Sequence, residues 1–158
     1  MKFSSKAALH AELCAHLRAE LEAAVSAYKK TREAATHEEA KPENDKDTRA
    51  LEQSYVARGQ AARVLDLETV LAATEKMPLR AFREEDPIAL GAIVVVVEND
   101  AEIVFFLAPG GGGHRIENVQ VITPQSPMGR ALLGKHVGDE PEVVIAGKKR
   151  SLEITEVV

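Results

Sequence analysis

The sequence predicts an α+β protein, in which an antiparallel α-helical coiled-coil hairpin precedes a small, mostly antiparallel β-sheet domain with one short helix. Two observations carry this prediction. Apolar residues recur every three to four positions over residues 4–35 and again over residues 47–76, as on one face of a helix. After Pro87 the pattern changes to β-branched runs such as Ala92–Val97, which are typical of strands.

The two long periodic segments are predicted to pair with each other. The first has an apolar stripe that consists of Leu9, Leu13, Leu17, Leu21, Val25 and Tyr28. The second has a stripe that consists of Leu51, Tyr55, Ala62, Val64, Leu65, Leu67, Val70 and Leu71. Ser4 or Ser5 can cap the first helix. Because a short polar turn joins segments of similar length, we expect an antiparallel hairpin.

The turn between these helices, residues 37–47, contains five acidic residues among eleven and is interrupted by Pro42. Any exposed turn needs polar residues, and Asp45 and Asp47 would suit the start of the second helix. A carboxylate cluster at the end of a rod has another use, since it can reach into a deep channel of a larger partner. The residues alone leave both interpretations open.

Five strands are predicted in the second half, over Ala92–Val97, Ala101–Leu107, Val119–Thr123, Glu142–Ala146 and Leu152–Val157. The last two are expected to form a hairpin that turns at Gly147-Lys148-Lys149. Ser126 and Pro127 open a short helix as its cap and first residue, and Gly134 closes it. Leu132 and Leu133 are expected in the core.

Length and composition are those of a globular chain. With 158 residues, 45% apolar and 28% charged, we expect a hairpin over 1–79, a linker over 80–86 and a globule over 87–158. The net charge of −5 provides no overall basic field for nucleic acid. The lone Cys14 is expected to be a small core residue. The longest apolar stretch, Ala89–Val97, is too short to span a bilayer.

Several patterns that could carry chemistry are absent or incomplete. The glycine run at 110–113 leads into His114-Arg115 rather than the Gly-Lys-Ser/Thr of a phosphate-binding loop, so it predicts a flexible connection. The five histidines are scattered and there is one cysteine, so we expect no His/Cys metal site. Lys148-Lys149-Arg150 is expected to lie in a solvated turn.

Ser126–Lys135, followed by Gly138-Asp139, resembles the SPLG-x-ALLGK…GD signature of the Gre family of bacterial transcription elongation factors. Glu43-Asn44 and Glu52-Gln53 are similar to the family's hairpin tip and second helix. The resemblance implies a coiled coil followed by an FKBP-like domain. It also implies that the globule docks on the rim of the secondary channel of RNA polymerase while the coiled coil reaches inward.

The resemblance implies particular site residues. Ser126 and Pro127 would contact the polymerase. Glu43, with Glu39 as its partner, would be the catalytic and metal-binding pair, sharing a Mg²⁺ with the polymerase and orienting water for cleavage of backtracked RNA near its 3′ end. The factor would have no cofactor of its own and would be an accessory to the endonuclease of the polymerase. We expect a cytoplasmic monomer with DNA binding and no membrane partner.

The tip also departs from the family pattern. Cleaving members carry a D-x-x-E-N string, and here the Asp position falls on Ala40, with Pro42 directly before the Glu. This departure leaves a second hypothesis open, a non-cleaving regulator or inhibitor that occupies the same channel. A third, a prolyl isomerase on the globule, is disfavoured because the chain has only 4% aromatic residues.

Overall fold

The structure is a computed structural model, and it describes residues 3–39 and 46–158. The chain divides into two compact units. One contains the residues up to Ala15 together with Ala73–Val158, and the other is His16–Ala72. The boundaries expected at residues 79 and 87 stay a prediction. No helix in the described ranges is long and apolar enough to cross a membrane.

Two long helices, α1 (Lys6–Glu39) and α2 (Lys46–Lys76), confirm the predicted hairpin. The Ser5 hydroxyl accepts a hydrogen bond from the Ala8 amide at 3.0 Å, so Ser5 caps α1. Early residues of α1 meet late residues of α2. His10 Nε2 lies 2.7 Å from the Thr74 carbonyl oxygen, and Glu20 pairs with Arg63 at 3.7 Å. The helices are therefore antiparallel.

The buried face of α2 differs from the predicted stripe. Leu67 and Leu71 are buried as expected, and Ala57 is buried with them. Leu51, Tyr55 and Leu65 are instead 54%, 59% and 63% exposed. At 3.6 residues per turn these three residues lie on the side of the helix opposite to Ala57, Leu67 and Leu71. The prediction failed because α2 is apolar on two opposite faces, so periodicity alone could not select the inner one.

The globule contains seven strands and one short helix. They are β1 (Ile93–Glu98), β2 (Ala101–Leu107), β3 (Arg115–Ile116), β4 (Val119–Ile122), α3 (Pro127–Leu132), β5 (Glu142–Ile145), β6 (Lys148–Ser151) and β7 (Glu153–Val157). The α+β class is confirmed.

The main sheet has the strand order β3-β4-β2-β1-β7, and its pairs are antiparallel except for β2 with β4. The predicted, mostly antiparallel sheet is therefore confirmed, with β2 and β4 as its parallel pair. After β2 the chain passes through the glycine-rich run 110–113 and forms β3, which runs in the reverse direction. It then turns back into the gap between β3 and β2. As a result β4 runs in the same direction as β2.

The predicted last hairpin was also wrong. β5 pairs with β6, with Glu142 opposite Ser151 and Ile145 opposite Lys148. The turn is formed by Ala146 and Gly147, whose φ angles are 53° and 77°, as two-residue hairpins of the primed types require. β7 joins β1 in the main sheet instead. The basic residues 148–150 therefore lie in a strand rather than in the turn.

The core of the globule is built around β1, which has a partner strand on both edges. Val94 and Val96 on one face belong to a buried apolar cluster that includes residues of β2, β4, α3, β5 and β7. Ile93 and Val95 on the other face are also buried. At the start of α1, in the same compact unit, the Lys6 ammonium donates to the carbonyl oxygens of Val158 at 2.7 Å and Arg80 at 2.8 Å.

A paired charge connects the two sheets. Arg150 on β6 donates from Nε to Glu98 Oε1 at 2.8 Å and from Nη2 to Oε2 at 2.7 Å, and Glu98 lies at the end of β1. Such bidentate, charge-assisted pairs are stronger than neutral hydrogen bonds. The hydrogen bonds from Arg150 lower the pKa of Glu98 below its ordinary value of 4.5, although desolvation opposes the shift.

Helix α3 lies unusually close to the end of β4. A Cβ atom placed on Gly129 would come within 1.8 Å of the Thr123 carbonyl oxygen. No side chain can occupy that position unless the helix moves. Gly59 in α2 is the opposite case, since a Cβ there would have no neighbour within 4 Å.

The Glu98–Arg150 pair should give a stability contribution that depends on pH. Because the folded state lowers the pKa of Glu98, its contribution is present above about pH 4.5 and is lost as the pH falls below that value. In a double-mutant cycle with Glu98→Gln and Arg150→Met, urea unfolding at pH 7 should show a coupling on the order of 1 kcal/mol. The coupling should shrink at pH 3.5. An equal coupling at both pH values would contradict the assignment.

Two glycine-to-alanine changes in helices should have opposite effects. Gly129→Ala should lower the free energy of unfolding by about 2 kcal/mol or more, because its methyl group collides with a backbone carbonyl. Gly59→Ala should raise it by about 0.5–1 kcal/mol, through helix propensity alone. Thermal and urea unfolding measure both. A neutral Gly129→Ala would show that α3 is free to shift.

Candidate functional site

The acidic tip lies mostly outside the described residues. Glu43 falls in 40–45, which the structure does not describe, and Glu39 ends α1 with its side chain likewise undescribed. Their proposed metal and catalytic roles therefore stay predictions. Within the described ranges, no group of three or more His, Cys, Asp or Glu residues could hold a metal ion.

The second predicted site, Ser126 and Pro127, is described in full. Ser126 has the extended conformation of an N-cap, and its hydroxyl accepts from the Gly129 amide at 3.1 Å. The same hydroxyl donates to the Thr123 carbonyl at 2.7 Å. Pro127 occupies the first helical position, where its missing N–H is not needed. The sequence prediction of this cap is confirmed.

The inward face of α3 is held by Met128 and Leu132, which are 5% and 0% exposed and belong to the core cluster. Leu133, expected in the core beside Leu132, is 43% exposed. The reason is that α3 ends at Leu132 and Leu133 leaves helical geometry, with ψ near 127°. The expectation for Leu133 was therefore wrong.

The residues after α3 connect the helix to the rest of the globule. The Gly134 amide donates to the Ile88 carbonyl, and the Ile88 amide donates to the Lys135 carbonyl, both at 2.8 Å. Gly134 has a φ of 80°, a left-handed conformation that favours glycine. These two hydrogen bonds hold the residues after α3 against the segment that precedes β1.

The Gly138-Asp139 pair has a similar structural role. The Asp139 carboxylate accepts from the His136 amide at 2.8 Å and so closes a tight turn. The Gly138 amide donates to the Ile154 carbonyl at 2.8 Å, and the Ile154 amide donates to the Asp139 carbonyl at 2.9 Å. This turn is thus joined to β7. Most of the motif that suggested a function is therefore needed to build the globule.

The outer side of this motif is available to a partner. Its exposed residues, which we call the α3 surface, are Pro127, Arg130, Leu133 and Lys135. Arg130 is partly fixed, because its Nε donates to the Gln125 carbonyl at 2.9 Å. The α3 surface combines two apolar side chains with two cations. It can bind a protein surface that offers apolar contacts and carboxylates.

The two predicted docking residues, Ser126 and Pro127, differ in what they can offer a partner. Both hydrogen-bonding directions of the Ser126 hydroxyl are used within the chain, so it offers a partner little and is not poised as a nucleophile. Pro127 is exposed and offers its ring.

Sequence reasoning did not identify Arg130, Leu133 and Lys135 as surface residues. The helical spacing from the buried Met128 and Leu132 could have placed Arg130 outward.

Comparisons with known proteins place these features in a family. The model described as "Transcription elongation factor, GreA/GreB, C-term" matches residues 83–158. Transcription elongation factor GreA of Halorhodospira halophila is 31% identical over 125 residues, which cover 79% of this chain and 77% of that protein.

Two further GreA proteins match over shorter stretches. The one from Sulfurovum sp. is 30% identical over 97 residues and the one from Mesorhizobium japonicum 35% identical over 95. The matched stretches span only 59% and 60% of these two relatives.

Among solved structures, the GreA factor homolog 1 (Gfh1) protein of Thermus thermophilus aligns with a TM-score of 0.41 at 20% identity, covering 92% of this chain and 94% of that one. The sequence relationship rests on the GreA proteins, above all on the match that covers most of both chains. The chain therefore belongs to the GreA/GreB family.

Proposed function

We propose that this chain is a transcription elongation factor that binds bacterial RNA polymerase, inserts its helical hairpin into the secondary channel and stimulates cleavage of backtracked RNA. One observation carries most of this proposal. The match to a protein named transcription elongation factor GreA extends over 125 residues, which is longer than the segment 83–158, so it includes part of the hairpin. The likeness therefore concerns more than the globule.

The two parts of the chain suit different tasks in this proposal. The α3 surface supplies the polymerase-binding contacts, since its apolar and cationic side chains are exposed on a firmly anchored helix. The hairpin supplies the length needed to enter a deep channel. A helix of 34 residues such as α1 extends about 50 Å at 1.5 Å per residue, and a narrow pair of helices can enter a channel that a globule cannot.

At the tip, Glu43 and Glu39 would supply carboxylate oxygens to a Mg²⁺ shared with the polymerase. Mg²⁺ prefers oxygen ligands and keeps several waters, so one or two added carboxylates can hold it beside a phosphate. A second metal in such a centre stabilises the attacking and leaving oxygens of an in-line displacement. The nuclease centre would belong mainly to the polymerase, and this chain would act as its accessory.

A second candidate function is a non-cleaving regulator that binds in the same channel. The observation that favours it is the tip sequence, where Ala40 stands at the position of the family's Asp and Pro42 precedes Glu43. Such a factor would bind the polymerase and obstruct the channel without adding a complete pair of carboxylates.

Cleavage separates the two candidates. With a stalled, backtracked elongation complex and Mg²⁺, we expect the wild-type chain to release shortened 3′ RNA fragments above the background of the polymerase. Glu43→Gln should reduce the rate about tenfold or more, the scale on which changes around a metal site act. Glu33→Gln removes an exposed carboxylate elsewhere on α1 and should cleave like wild type.

Each outcome of that assay has a distinct meaning. If wild type binds the complex but yields no fragments above background, the non-cleaving regulator is correct. If Glu43→Gln cleaves as fast as wild type, the assignment of Glu43 is wrong although the activity stands.

Polymerase binding should depend on Pro127 more than stability does. Pro127→Ala should raise the dissociation constant for RNA polymerase about tenfold, equivalent to about 1.4 kcal/mol of binding free energy, because an exposed contact is lost. Its free energy of unfolding should change by less than about 1 kcal/mol. Ser126→Ala should instead destabilise the fold by about 1–2 kcal/mol, since it loses two internal hydrogen bonds. Wild-type binding by a folded Pro127→Ala would remove Pro127 from the interface.

A further inference from the structure

Helix α2 carries a line of five exposed residues, four apolar and one cationic. Leu51, Tyr55, Arg58, Ala62 and Leu65 are separated by four, three, four and three residues, and all five are exposed. We call this line the α2 seam. At 3.6 residues per turn, the spacing keeps the five side chains on one narrow face.

The hairpin itself does not explain the α2 seam. The face of α2 that packs inside the hairpin runs through Ala57, Leu67 and Leu71, on the other side of the helix. Leu51, Tyr55 and Leu65 remain more than half exposed. Single exposed apolar residues are common on protein surfaces, but an aligned set at regular spacing indicates a site of association.

The chemistry of the α2 seam indicates what would cover it. Apolar residues at alternating spacings of three and four form the holes and knobs by which one helix packs on another. The Arg58 guanidinium lies 5.6 Å from the centre of the Tyr55 ring, and no carboxylate of a described residue is paired with it. Tyr and Arg are residue types that often carry the binding energy of interfaces. A matching helix would place a carboxylate opposite Arg58.

A second copy of this chain fits the α2 seam poorly. Arg58 lies midway between Leu51 and Leu65, so a symmetric pairing centred on the seam, parallel or antiparallel, would bring Arg58 against its own copy. Like charges in such a position are unfavourable. The area is also small. A specific interface buries about 800 Å² per partner, and one fully buried aromatic side chain adds only about 150–250 Å².

We propose that the α2 seam is a docking surface for an amphipathic helix of RNA polymerase, with apolar residues at the same spacing and a carboxylate facing Arg58. This inference rests on the proposed function. A seam too small to hold a complex alone adds affinity when another surface, here the α3 surface, already holds the same partner. It would fix the hairpin along one wall of the channel.

The test measures dissociation constants for core RNA polymerase with full-length variants. Leu65→Gln should weaken binding about fivefold or more. Val56→Gln is the matched control, because Val56 lies on the same helix, is 53% exposed and points away from the α2 seam. It should bind within twofold of wild type. Circular dichroism melting verifies that both variants keep the hairpin.

Charge provides a second arm of the test. Arg58→Glu should weaken binding more than Arg58→Gln, because it repels the partner carboxylate as well as losing the contact. Equal binding of Leu65→Gln and wild type would overturn the docking surface while the proposed function stands. No binding by wild type would overturn both. Concentration-dependent dimerisation that Leu65→Gln abolishes, seen by sedimentation, would overturn the inference in favour of a second copy.

Discussion

The burial of strand β1 on both faces is the constraint on which the globule depends. β1 has neighbours on both edges, and its alternating side chains, Val94 and Val96 on one side and Ile93 and Val95 on the other, are all excluded from water. One face is covered by the cluster that includes α3. The start of α1, with its buried Leu9 and Leu13, belongs to the same compact unit as the globule.

The same constraint explains what could be predicted from the sequence and what could not. A strand buried on both faces is a continuous β-branched run, and β1 was recognised for that reason. Strands β3 and β6 carry almost no apolar signal in the sequence. On β6, Lys148, Lys149 and Arg150 are held by pairing with β5, and Arg150 also by the Glu98 carboxylate. Without β6, the sequence offered β5 no partner except β7, and the wrong hairpin followed. Pairing between distant segments is not encoded locally.

The Ser126–Lys135 motif shows a second limit of prediction from the sequence. Recognition of Ser126–Lys135 was correct, but most of its residues act inside the fold. Ser126 caps α3, Gly129 permits its close approach to Thr123, and Leu132 fills the core. A motif can therefore identify a family through residues whose visible role is to build the fold. The residues that remain for binding, such as Pro127 and Leu133, are identified only by burial, which depends on where the helix ends. The roles assigned to the tip carboxylates rest on the sequence alone, because Glu43 and the side chain of Glu39 lie outside the described part of the chain.

In the proposed function, the hairpin tip reaches the active centre of RNA polymerase. The direct test attaches an iron chelate that generates hydroxyl radicals to Glu43→Cys, with the unsubstituted chain, whose Cys14 is buried, as the labelling control. In complex with a backtracked elongation complex, we predict localised cuts in polymerase segments around the active centre and near the RNA 3′ end. The same chelate at Val144→Cys, an exposed position on the globule, should cut only the outer surface. Cuts from the tip that are absent, or confined to the outer surface, would contradict the account.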